Sequence, residues 1–179
     1  QDELVVNVVE AAAPAVVSVV ATKDVPVIER YYVDPFADDL FFREFFGGSG
    51  LRVPELREKG TEKREVSSGT GFIVSEDGTV ITNKHVVADT AAEYTVFFSD
   101  GSKRPATVRA RDPVNDIAVL KIEGSGYPKL PLGDTSAIKI GQSVIAIGNA
   151  LGEFRNTVSV GVISGLRRSI IATGAGGTE

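Results

Sequence analysis

A run of short β-branched segments, cut apart by turn residues, narrows the fold more than any other feature of this chain. "TGFIVS", "TVITN", "EYTVFF", "KRPATVRA" and "DIAVLKI" follow one another between residues 70 and 122, with Glu76-Asp77-Gly78, Ser99-Asp100-Gly101 and Asp112-Pro113 among the breaks. Val, Ile, Thr, Tyr and Phe pack well on a pleated surface, whereas Gly, Asp and Pro bend or interrupt one. Such spacing predicts an antiparallel barrel or sandwich.

Upstream, "DELVVNVVEAAAPAVVSVVATK" sets Leu4, Val5, Val8, Val9 and Ala12 at helical spacing. Pro14 then ends that helix before the β-branched run 16–20. Counting 16–22 as a strand gives six by residue 123, enough for one small closed barrel. Two further β segments, "SVIAIGNALG" and "TVSVGVISGLRRSI", precede a tail, "ATGAGGTE", with no core segment. Two or three strands neither close a barrel nor bury both faces. The expected division is therefore 1–125, with the helix, an insertion and a first barrel, and 126–179, an incomplete second barrel.

The insertion, residues 24–65, differs in character. Five of the nine phenylalanines fall within 36–46, and "REKGTEKRE" reads as a solvated charge run. One reading is a loop folded onto its own domain; the other is an exposed docking or self-association patch.

Composition excludes several functions. With 179 residues and 42% apolar content the chain can bury a real core. A net charge of −5, with basic residues scattered outside 52–64, gives no electrostatic footprint for nucleic acid. There is no cysteine and one histidine, so neither a disulfide framework nor a zinc site of ordinary ligands is expected, and no cofactor is predicted. No apolar run approaches the roughly 18 to 20 residues that span a bilayer, and no signal segment opens the chain. The chain starts at Gln1 and lacks methionine, as expected where residues have been removed from its start.

The single histidine, His85, lies in "TNKHVV". A catalytic histidine needs a partner that fixes its tautomer, most often a carboxylate. Asp116 stands directly before the apolar strand of "DPVNDIAVLKI", where an acid can face a cleft. Alone, each residue is equally well a surface side chain.

Together, "SGTGFIVSEDGTVITNKHVV", "NDIAVLKI", "GQSVIAIGNALG" and "TVSVGVISG" resemble the protease domain of the HtrA (high-temperature-requirement, Deg-type) serine proteases. "DPFADDLFFREFFG" is similar to that family's long first-barrel loop. The resemblance implies an all-β, trypsin-like double β-barrel, the first six-stranded barrel complete and the second truncated. It implies a serine endopeptidase that degrades unfolded or misfolded proteins, with His85 as general base and Asp116 orienting it. It further implies a homo-oligomer, trimer or larger, in a bacterial periplasm or cell envelope. The alternative is a chaperone-like or partner-binding module that holds polypeptides without cleaving them.

Two features depart from the family pattern. Ala150 stands in "GNALG" where the family usually has proline. The family's nucleophile lies in a Gly-Asn-Ser-Gly-Gly-Pro segment beyond the "GVISG" strand, and residues 1–179 do not contain it. The chain alone is accordingly expected to be inactive. Ser49 in "GGSG" precedes the histidine, against the His, Asp, Ser order of trypsin-like enzymes; Ser68 and Ser164 lack a nucleophile-elbow context.

Overall fold

The computed structural model describes residues 2–33, 53–149 and 156–166. The phenylalanine cluster at 36–46, Ser49 and Ala150 lie outside the described residues. The chain divides into two compact units: Gln1–Ala21 with Ser67–Glu179, and Thr22–Val66.

Helix α1 (Asp2–Ala12) passes into a 3-10 turn, Ala13–Ala15, at Pro14. Eight strands follow: β1 (Val16–Val33), β2 (Val53–Ser75), β3 (Thr79–Thr82), β4 (Glu93–Phe97), β5 (Lys103–Arg111), β6 (Ala118–Ile122), β7 (Ser143–Asn149) and β8 (Asn156–Val162). The first six close into a barrel in the order β1-β2-β3-β6-β5-β4, as the turn-punctuated segments predict. Side chains at alternate positions fill it: Val17 and Val19 from β1, Ile73 from β2, Val80 from β3, Val96 from β4, Leu120 and Ile122 from β6 are all fully buried. Closure leaves no unpaired edge on the barrel. β7 and β8 pair as a two-stranded antiparallel sheet.

The segment after β6 is tied back to the barrel. Tyr127 N–H donates to Glu76 O (3.2 Å) and Leu130 N–H to Ile73 O (2.8 Å). The Tyr127 ring stacks on Phe98, centroids 5.7 Å apart.

The insertion is not a loop throughout its described length. Residues 24–33 continue β1 and 53–65 open β2, so the described arms of the unit Thr22–Val66 are strands that form a ribbon. "DVPVIERYYV" explains its first arm: Val25 and Val27 are half-buried while Pro26 and Ile28 face out, the period of a one-sided strand. "REKGTEKRE" is exposed as expected, yet extended, and Lys59 Nζ lies 2.5 Å from Glu29 Oε1 on the opposite arm. The Lys59 hydrogen bond, with one from Tyr31, holds the Glu29 carboxyl below its usual range.

The β2–β3 turn needs its residues. Gly78 has φ +90°, and a β-carbon there would meet Ile122 O at 2.5 Å. Hydrogen bonds from the Ser75 side chain foremost, then from Thr79 and Lys121, hold Asp77 at about 2, against an ordinary 3.8. A carboxylate with a depressed folded-state pKa lends stability that is present in full above about pH 4 and drains as pH falls towards about 2. Asp77→Asn should therefore have a lower urea midpoint at neutral pH and a flatter acid limb across that window. Urea midpoints measured from neutral pH to pH ~2 check this; superimposable acid limbs would remove the assigned role.

Candidate active site

The antiparallel pairing of β3 with β6 ends at Thr82 opposite Ala118. Just beyond lie Asn83 on one arm, and Ile117 and Asp116 on the other. The register alone therefore delivers the "TNKHVV" segment and the end of "DPVND" to one rim of the barrel.

Local chemistry fixes each arm. Thr82 Oγ1 donates to Thr70 O (2.7 Å), anchoring the last residue of β3. Lys84–Val87 then form a 3-10 turn in which Val86 and Val87 are buried, so His85 stays at the surface. Arg111 Nε donates to Val87 O (2.7 Å), tying the end of that turn to β5. Gly69 makes room for the turn: a β-carbon on it would lie 2.4 Å from Val86 Cγ2. On the other arm, the Asp112 carboxylate accepts the N–H groups of Asn115 (2.7 Å) and Val114 (2.8 Å). Those bonds, Asn115 foremost, hold its pKa below the usual range, and they shape the turn that presents Asp116.

The two predicted residues meet. His85 Nδ1 lies 2.6 Å from Asp116 Oδ2, and the His85 backbone N–H donates to Asp116 Oδ1 (2.9 Å). That backbone N–H is the main cause of a lowered Asp116 pKa, followed by the imidazole contact, so the group is a carboxylate at neutral pH. An acceptor at Nδ1 selects the neutral tautomer with its proton there, which leaves Nε2 with a free lone pair. The imidazole side chain is 71% accessible, so Nε2 is open to an incoming proton donor. The arrangement has the geometry that a general base requires.

Sequence reasoning missed Asn83, whose Nδ2 donates to Asp116 Oδ2 (3.2 Å) and to Asp116 O (3.1 Å). Its place two residues before the histidine, just past a strand end, is the only signal the sequence offers. The side-chain hydrogen bond of His85 runs to Asp116. Ser68 belongs to β2, and Ser164 follows β8.

The family described as trypsin-like peptidase domain matches residues 69–178. A Synechocystis sp. protein named as the serine protease HhoA is 40% identical over 175 residues, spanning 97% of this chain and 41% of the relative. DegP-like proteins of Ectopseudomonas mendocina and Chlamydia pneumoniae, named as periplasmic serine endoproteases, are each 42% identical over 90% and 91% of this chain and 34% of their own lengths. The solved structure of the HtrA-type protease AlgW with a decapeptide shares 31% identity at a TM-score of 0.65, covering 93% of this chain and 47% of that one. The chain thus spans well under half the length of these curated relatives.

Because His85 is the only histidine, its ring nitrogens can be read without assignment ambiguity. In alkaline solution 15N spectra of the neutral ring should show the proton on Nδ1. In Asp116→Asn the ring should switch to the Nε2–H tautomer, because an amide can donate to Nδ1. The same tautomer in both proteins would mean the 2.6 Å contact does not set the proton's position.

Proposed function

The chain belongs to the trypsin-like peptidases, and on that premise we propose that it supplies the general base and its orienter to a serine endopeptidase of the HtrA/Deg type acting on unfolded polypeptides. The contact of His85 Nδ1 with Asp116 Oδ2 carries this reading, because it leaves Nε2 bare and exposed. In the reaction, Nε2 takes the proton of a serine hydroxyl as its oxygen bonds to the scissile carbonyl carbon. The imidazolium, held by the Asp116 carboxylate, then gives that proton to the departing amine nitrogen as the C–N bond breaks. Water repeats the sequence on the acyl-enzyme and restores serine and neutral His85.

The nucleophile and the backbone N–H groups that bind the oxyanion belong, in this reading, to a segment outside residues 1–179. Two observations support it. Trypsin-like enzymes run in the order His, Asp, Ser, which places the nucleophile after Asp116. Of the five described serines there, Ser125 lies in the exposed segment after β6, Ser136 donates to its neighbour Asp134 (2.8 Å), Ser143 and Ser159 sit in the paired strands β7 and β8, and Ser164 follows β8. Relatives named as periplasmic support a periplasmic or envelope location, and assembly as a trimer or larger is carried over from the family resemblance.

Denatured casein incubated with the whole translated protein tests the reading. Hydrolysis should be abolished in His85→Ala and fall by roughly 10⁴-fold in Asp116→Asn. A serine-directed phosphonate should label one serine, outside residues 1–179, and the 179-residue chain alone should neither cleave nor label. Full activity in His85→Ala would overturn the function; a labelled serine within 1–179 would overturn the placement of the nucleophile.

A further inference from the structure

The Asp116 side chain is 48% accessible, so packing alone does not hold its carboxylate in one rotation. Hydrogen bonds must do so, and the Asn83 amide is placed for it. One nitrogen, Nδ2, reaches both Oδ2 of Asp116 (3.2 Å) and that residue's own main-chain oxygen (3.1 Å). An amide nitrogen carries two hydrogens, enough to serve both. Bridging a side-chain oxygen and a backbone oxygen of one residue ties the carboxylate's torsions to the main chain.

The atom assignment follows from chemistry. Both neighbours of the amide are acceptors, so turning it over would set its oxygen against a carboxylate and a carbonyl. Asn83 is not occupied elsewhere in a local role. It stands at the N-cap of the 3-10 turn Lys84–Val87 with extended φ and ψ, the position where an asparagine commonly caps, yet its side chain makes no cap hydrogen bond.

We propose that Asn83 is a positioning residue of this site, holding the Asp116 carboxylate in the rotation at which Oδ1 takes the His85 backbone N–H and Oδ2 takes the ring N–H. The segment 83–85 then grips one carboxylate through three groups: the Asn83 amide, the His85 main chain and the imidazole. The consequence for catalysis rests on the protease reading above; the consequence for the imidazole proton does not.

The test uses 15N-labelled protein and the single imidazole. Asn83→Ala should add an Nε2–H population to the ring and speed exchange of the Nδ1 proton with water. Asn83→Asp, the same size but an acceptor facing two acceptors, should do more damage than alanine. In the whole translated protein both should lower kcat by roughly 10- to 100-fold with KM little changed, aspartate more than alanine. A role confined to bracing the barrel rim would lower the urea midpoint and leave the tautomer as it is, and that result overturns the proposal. The unsubstituted protein gives a check that needs no variant: during acid titration the Asn83 side-chain N–H resonances should move together with the Asp116 carboxyl 13C resonance. Independent movement also overturns the proposal. Absence of His85-dependent casein cleavage would instead sink the protease reading, with the spectroscopic arms still deciding the role of Asn83.

Discussion

The register between β3 and β6 is the constraint on which the site depends. Thr82 opposite Ala118 makes the chain beyond one strand and the chain before the other arrive at a single rim. Strand side chains alternate with a period of two, so a slip by one residue would turn Val80 and Leu120 out of the core and His85 and Asp116 out of reach together. Burial of those two side chains, both fully enclosed, selects the register. The same hydrophobic pattern that closes the barrel therefore brings His85 and Asp116 to one rim, with no separate device needed to make the partners meet.

The contact between His85 and Asp116 is not a source of stability worth counting. Both side chains are substantially accessible, and exposed ion pairs contribute little to folding. What it provides is direction. The barrel supplies stability through Val17, Val19, Ile73, Val96 and Ile122, while the rim residues are free to be chosen for chemistry. Val86 and Val87 join the two tasks, since they belong to the core cluster and also fix the backbone on which His85 stands.

Much of this was legible in the amino acids. The six barrel segments were visible because β-branched runs met turn residues with a clear physical preference, and Pro14 marks the observed passage from helix to strand. His85 and Asp116 were legible only as a pair, within motifs, because each alone has the character of a surface residue. The strand character of 53–65 is not legible in the sequence: its charged arm suppresses the apolar alternation by which strands are recognised, and the pairing of Lys59 with Glu29 exists only once the arms are opposed. Asn83 was illegible for a related reason. A lone polar residue after a strand carries no pattern, and its meaning comes from a carboxylate contributed by a distant part of the chain.

The close approach of Gly69 to Val86 bears on how this sequence can drift. Every other amino acid carries a β-carbon, and the space where one would go at position 69 is already taken by a buried valine methyl. Any substitution there obliges the Val86 side chain to shift within the turn that bears the histidine. Position 69 should thus stay fixed in evolving descendants of this chain even as surface positions nearer the imidazole, such as Lys84, are replaced.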